Sequence, residues 1–183
     1  MNLEKLLESV PEYAKDLRIN FGNVLQQSDL SEQQAWGTAV CSALTTRQTA
    51  LIEAVTAEAA PHLDEKAMFG AKTAAALMGM NNIFYRFRHL SSNPEYGEQP
   101  AKLRMQGIRG HGADPVDFEL WCVAASAITG CGVCVDAHEK TLREKGVRTE
   151  TIMAAVRIAA VIHGLAVALA DPGGTTSGGS PSG

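Results

Sequence analysis

The sequence predicts an all-α, single-domain multi-helix bundle, and three observations point there. Alanine is prominent and aromatic residues are only 5% of 183, which favours helices over sheets of aromatic and β-branched strands. Segment after segment carries helix start and stop signals. No strand-like alternation lasts more than a few residues. At this length one domain buries a proper core.

The elements follow in chain order. MNLEKLLESVPEYAKDL is amphipathic and charged from its fourth residue, with no apolar signal-peptide core. SEQQAWGTAVCSALTT opens on Ser31 with Gln34 three residues later, a capping-box pattern. DEKAMFGAKTAAALMGMNNIFYRFRHL, from Asp64 to Leu90, reads as one long helix ended by the turn-rich SSNPEYGEQP. In ADPVDFELWCVAASAITG, Asp114 is the N-cap and Pro115 takes the first helical position. CGVCVDAHEKTLREKG starts just after Gly130 and stops at Gly146, a suitable C′ residue. TETIMAAVRIAAVIHGLAVALA runs on to Asp171. The helical domain is therefore placed at residues 1–170, and the Gly/Ser-rich tail, 171–183, is expected to be disordered because it has no apolar face to bury. A faint echo links AWGTAVCSALT (Ala35 to Thr45) with LWCVAASAIT (Leu120 to Thr129), a weak sign of a duplicated unit whose first copy lacks CxxC. Chance resemblance between alanine-rich helices accounts for it equally well.

A net charge of −4, pI near 5.7 and scattered Lys and Arg argue against nucleic-acid binding. The run IAAVIHGLAVALA contains His163 and Gly164 and is too short for a convincing membrane span, so no membrane role is expected. The expected location is cytoplasmic, where a standing structural disulfide is unusual and CxxC points to redox work or metal.

That puts the weight on GCGVCVDAH, Gly130 to His138. Residues three apart on a helix are neighbours, so Cys131 and Cys134 lie about 5 Å apart at Cα, within disulfide reach. The first turn of a helix has unpaired N–H groups and the positive end of the dipole, both favouring thiolate. His138 is i+4 from Cys134 and shares its stripe, as base or counter-ion. Glu119 is about 18 Å away along a continuous helix, but a reversal at TGCG brings it within about 4–5 Å axially of His138, where a carboxylate orients the imidazole. Three readings stay open on these residues: a redox dithiol, a zinc site from Cys131, Cys134, His138 and Glu119, or two core thiols. Zinc is disfavoured because no second CxxC exists.

Other residues suggest less. Cys41 and Cys122 sit in apolar runs and read as packing, and His163 as a core histidine. His62, His89 and His111 fall near helix ends or in loops, with surface or capping roles expected. Asp136 points off the Cys–His stripe, and FYRFRHL (Phe84 to Leu90) reads as a helix face with a solvated flank, or an oligomer contact.

Glu119, Cys131, Cys134 and His138 at this spacing resemble the signature of the AhpD alkylhydroperoxidases, within the carboxymuconolactone decarboxylase-like superfamily. PEYAKDLRIN, WGT at Trp36, MGMNNIFYR and FELW resemble that family too, over about residues 1–170. The resemblance implies an all-helical AhpD-like fold, a homotrimer, and reduction of organic hydroperoxides. It implies that Cys134 attacks the peroxide, Cys131 resolves through a disulfide, His138 is the base and Glu119 orients it. No cofactor would be tightly bound and no metal held. Electrons would come from dihydrolipoamide on a dihydrolipoyl succinyltransferase, recharged by lipoamide dehydrogenase with NADH, and the protein would support the peroxiredoxin AhpC. The family often has a histidine between the cysteines where this chain has Val133, which removes one proton route. The alternatives are a lactone decarboxylase on the same scaffold, for which a redox dithiol would be superfluous, and a zinc-binding or thiol-sensing interaction module.

Overall fold

A computed structural model of the chain describes residues 2–27 and 29–171, and among them there are helices and no strands. In chain order these are α1 (Leu3–Glu8), α2 (Lys15–Leu25), α3 (Glu32–Thr46), α4 (Thr49–Ala59), α5 (Glu65–Leu90), α6 (Glu95–Glu98), α7 (Gly107–Gly110), α8 (Pro115–Thr129), α9 (Gly132–Glu144) and α10 (Thr149–Leu169). The all-α expectation holds. Residues 172–183, which carry nearly all of the Gly/Ser tail, lie outside the described residues.

Three of the long helices, α3, α5 and α8, start on the caps their sequences supply. Ser31 Oγ accepts from the Gln34 N–H at 3.2 Å, and Gln34 Oε1 accepts from the Ser31 N–H at 3.0 Å, a complete capping box. Asp64 Oδ1 accepts from the Ala67 N–H at 2.7 Å and opens α5. Asp114 Oδ1 accepts from the amides of Val116 and Asp117, with Pro115 behind it, and opens α8. Gln34 serves twice: its Nε2 also donates to Asp117 Oδ1 at 2.8 Å, while Gln33 Nε2 donates to Asp117 Oδ2 at 2.7 Å. These two amides satisfy a buried carboxylate that would otherwise be costly to desolvate, and they fix the start of α3 against the start of α8.

The faint echo in the sequence extends into the architecture. α3 and α8 are each 15 residues long, and each ends on a left-handed residue, Arg47 at φ 64° and Gly130 at φ 69°. A shorter helix follows in both cases, then a long one of 26 or 21 residues that packs back on the first. The third helix of each unit also packs on the first helix of the other, α10 on α3 and α5 on α8. Counted from the left-handed residue, the first unit has Gln48, Leu51 and Val55 where the second has Cys131, Cys134 and His138.

The core is built around α8, whose Phe118, Leu120, Trp121, Cys122 and Val123 are almost wholly buried. Trp121 lies in a slot left by two glycines. A Cβ at Gly37 would meet the indole Cε2 at 2.4 Å, and one at Gly70 would meet Cζ3 at 3.0 Å. The backbones of α3 and α5 therefore approach the ring more closely than any other residue allows. α10 corrects one expectation. Its apolar run belongs to a 21-residue helix that is long and apolar enough to cross a membrane, yet 56% of its most apolar window is buried within this fold. It packs on α2, α3 and α8 as a core helix.

Gly37→Ala is expected to destabilise the protein by about 1–3 kcal/mol, the usual cost of overpacking a tight core. Denaturant unfolding checks this; an unchanged midpoint would mean that the indole slot is not a constraint.

Candidate functional site

The site starts from a backbone reversal. Gly130 adopts φ 69°, its N–H bonds to Ala127 O at 3.2 Å, and the Cys131 N–H bonds to Ser126 O at 3.1 Å. This is the Schellman pattern, and it makes Cys131 the residue that caps the next helix. Cys134 and Val135 then donate their N–H groups to Cys131 O at 3.0 and 2.9 Å. The two cysteines thus sit on the first turn of α9, 5.3 Å apart at Cα, and are joined as a disulfide. Cys131 is fully buried, whereas Cys134 keeps 7% of its surface open.

Beyond the reversal α9 folds back along α8, and Glu119 meets His138. Glu119 Oε2 lies 2.7 Å from His138 Nδ1, with both side chains mostly covered. A carboxylate can only accept here, so Nδ1 carries the ring proton and donates to Glu119 Oε2, and in the neutral tautomer the lone pair lies on Nε2. That nitrogen lies 3.2 Å from Met78 Sδ, contributed by α5. Residues of α5, α8 and α9 thereby border one imidazole.

α5 also anchors the reversal. Asn82 Nδ2 donates to Thr129 Oγ1 at 2.8 Å, Ser126 Oγ donates to Asn82 Oδ1 at 3.3 Å, and Arg86 Nη1 donates to Thr129 O. A guanidinium on the last carbonyls of α8 opposes the negative end of that helix. Sequence reasoning missed Asn82, Arg86 and Met78. FYRFRHL is more than a helix face with a solvated flank or an oligomer contact: Arg86 is half-buried and tied to the CxxC turn, while Arg88 lies over Phe84 and Tyr85 and donates to Gly97 O. The available signal was polar residues at i, i+4 on a helix otherwise rich in alanine and methionine.

A cavity of about 300 Å³ opens onto the site, lined by Met78, Asn81, Tyr85, Met105, Ile108, Val133, Cys134, Ala137 and His138. The four sequence-predicted residues divide around it. Cys134 and His138 face the cavity, Glu119 stands behind the imidazole, and Cys131 is sealed beneath Cys134. Such an arrangement suits a thiol that meets a small reactant in an apolar, largely desolvated space, next to a base held in one tautomer. As metal ligands the same residues are already engaged, sulfur with sulfur and Nδ1 with carboxylate.

The remaining candidates sort by burial. Cys41 and Cys122 are free, buried thiols. Burial pushes Cys41 up to about 12, and its thiol donates to Trp121 O at 3.3 Å; burial raises Cys122 well above the ordinary range as well. His163 corrects the core reading: it is exposed, because the 3.6-residue period puts it on the outer stripe of α10 with Met153, Arg157 and Val167. His111, expected at the surface or in a capping role, ends α7 and binds a backbone amide but is not at the surface. It is buried, stacks on Phe118 at 3.8 Å, and accepts from the Ala113 N–H at 3.1 Å. Desolvation holds it below its ordinary value, against the opposing charges of Glu119 and Asp114. His62 stacks on Trp36 and bonds to Glu32 at 2.6 Å, while His89 and Asp136 are exposed.

Residues 94–170 match the carboxymuconolactone decarboxylase family. Among its relatives are proteins that bear the name alkyl hydroperoxide reductase AhpD. The protein of Solibacter usitatus is 65% identical over 175 residues, 94% of this chain and 99% of its own length. That of Acidobacterium capsulatum is 53% identical over 170 residues, covering 92% and 93%. That of Koribacter versatilis is 52% identical over 168 residues, covering 91% and 87%.

After reduction, the native protein is expected to be alkylated first at Cys134, and at Cys41 and Cys122 only once denatured. Peptide mass mapping of timed samples checks the order. Equal labelling of Cys41 in the folded protein would contradict the sealed packing against Trp121.

Proposed function

The chain belongs to the AhpD family of alkyl hydroperoxide reductases, and from that membership and the site we propose that it reduces organic hydroperoxides through the Cys131–Cys134 dithiol. The observation that carries the reading is the shared cavity: the one partly open sulfur of the pair and the His138 ring face the same space, with Glu119 bonded to the far side of that ring.

In the reduced protein His138 accepts the Cys134 proton at Nε2, and the Glu119 carboxylate stabilises the resulting imidazolium. The first-turn amides of α9 favour the thiolate. The sulfur attacks the terminal peroxide oxygen. An S–O bond forms as the O–O bond breaks, and the departing alkoxide takes the proton held by His138. Cys131 then displaces water from the sulfenic acid, giving the disulfide. A dithiol restores the reduced pair by exchange, and dihydrolipoamide is the reductant proposed. It would be carried on a dihydrolipoyl succinyltransferase and recharged by lipoamide dehydrogenase with NADH.

The AhpD name ties the relatives to the AhpC peroxiredoxin system, and support of AhpC in the cytoplasm is part of the same proposal. A homotrimer belongs to it too. Ile83, Phe87 and Leu90 leave an exposed apolar stripe on α5, which supports self-association. Lactone decarboxylation would leave the Cys131–Cys134 pair without a task.

Cys134→Ser should abolish peroxide-dependent NADH oxidation in a mixture with lipoamide and lipoamide dehydrogenase. Cys131→Ser should complete one round and stop at a sulfenic acid visible by mass, and sustained cycling by it would refute the resolving role. Glu119→Gln should lower the peroxide rate at least about tenfold by releasing the ring from its tautomer and removing the counter-charge. A rate within twofold of the unsubstituted protein would exclude the carboxylate from proton transfer.

A further inference from the structure

We propose that the reducing dithiol attacks the disulfide at Cys134, entering through the cavity that admits the peroxide, so that one sulfur is the point of entry in both half-reactions. The inference rests on the peroxidase reading above and deepens it by naming the sulfur and the route that the reductant uses.

Re-reduction begins when a thiolate displaces one sulfur of the disulfide from the other, and access decides which sulfur is struck. Cys131 is 0% exposed and is not among the residues of the cavity wall, whereas Cys134 keeps 7% of its surface open and forms part of that wall. Position on the helix alone would favour Cys131, which caps α9 and lies closest to the positive end of its dipole. Burial turns that advantage to another use. The opening amides of α9 favour the Cys131 thiolate as the S–S bond breaks, which makes it the better leaving group.

The exchange balances on that assignment. The incoming thiol gives its proton to His138, which borders the same cavity, and its sulfur bonds to Cys134 Sγ as the bond to Cys131 breaks. Cys131 departs as a thiolate and is protonated. The second thiol of the reductant then attacks the reductant's own sulfur in the mixed disulfide. That step closes a ring on the reductant and releases Cys134 into the cavity it shares with His138. Two electrons and two protons pass from the dithiol to the cysteine pair. The cavity also limits the reductant, since no Lys, Arg, Asp or Glu lines its 300 Å³. A dithiol at the end of an uncharged alkyl arm suits such a wall, whereas a thiol flanked by carboxylates would shed water without compensation. Val133 lies on the wall and is 38% exposed, which puts it at the mouth.

The test mixes the oxidised full chain with 6-mercaptohexanamide, a one-thiol stand-in for such an arm. The reaction is quenched in acid, denatured and treated with N-ethylmaleimide, and fragment ions locate both labels. The mixed disulfide is expected on Cys134 and the maleimide on Cys131, in at least tenfold excess over the reverse pattern. The reverse pattern, or equal amounts of the two, overturns the assignment. Val133→Trp narrows the mouth and touches neither sulfur. It should slow thiol loss to cumene hydroperoxide and disulfide reduction by dihydrolipoamide together, each at least fivefold, with the melting temperature unchanged. A fall in one rate alone, or in neither, overturns the shared route. This comparison decides the matter if the adduct is resolved too fast to trap, and Ala137→Phe replaces the tryptophan variant if that does not fold. If the unsubstituted reduced protein loses no thiols to the peroxide, the peroxidase reading itself fails, a result separate from where the mixed disulfide forms.

Discussion

The left-handed turn at Gly130 is the constraint on which the site depends, because it converts neighbours in sequence into opposing surfaces. A residue with a side chain at φ 69° is strained, and glycine is not. Once the chain reverses there, three consequences follow together. Cys131 becomes the cap of α9, Cys134 falls on its first turn, and His138 comes back level with Glu119. Without the reversal, the carboxylate and the imidazole would be about 28 Å apart along one helix.

A turn by itself positions nothing unless the helix leading into it is held still. α8 is held along its whole length. Asp117 is bound by Gln33 and Gln34 at its start, Trp121 fills the slot between Gly37 and Gly70, and Asn82 and Arg86 hold its final carbonyls and hydroxyls. The same rigidity separates the two classes of cysteine. Cys41 and Cys122 sit against the packed middle of α8, where burial suppresses the thiolate. The CxxC pair sits past its end, where helix amides are free and a cavity reaches one sulfur.

The two structural units make the point from another side. They share a helix of equal length, a left-handed exit and a long third helix, yet only the second carries the two cysteines and the histidine. At the positions of Cys131, Cys134 and His138 the first unit has Gln48, Leu51 and Val55, and Leu51 and Val55 are buried as ordinary core. The same scaffold geometry thus holds ordinary packing in one unit and the candidate site in the other.

Much of this was legible in the residues alone. Helix identity and most helix ends are local matters, set by caps such as Ser31, Asp64 and Asp114 and by glycines such as Gly130 and Gly146, so the sequence determined them. The dithiol and its histidine were equally readable, because i, i+3 and i+4 spacing is a property of one helix. The tertiary structure decided whatever depends on a second or third helix. α10 is apolar nearly all round, so its period shows that His163 shares a stripe with Met153, Arg157 and Val167 but only the packing on α2, α3 and α8 shows that this stripe is the outer one; nor does the sequence say that Arg86 grips the end of α8. It also leaves open which sulfur meets the cavity. Those are questions of distance between segments far apart in the chain, and they are answered only where α5, α8 and α9 pack.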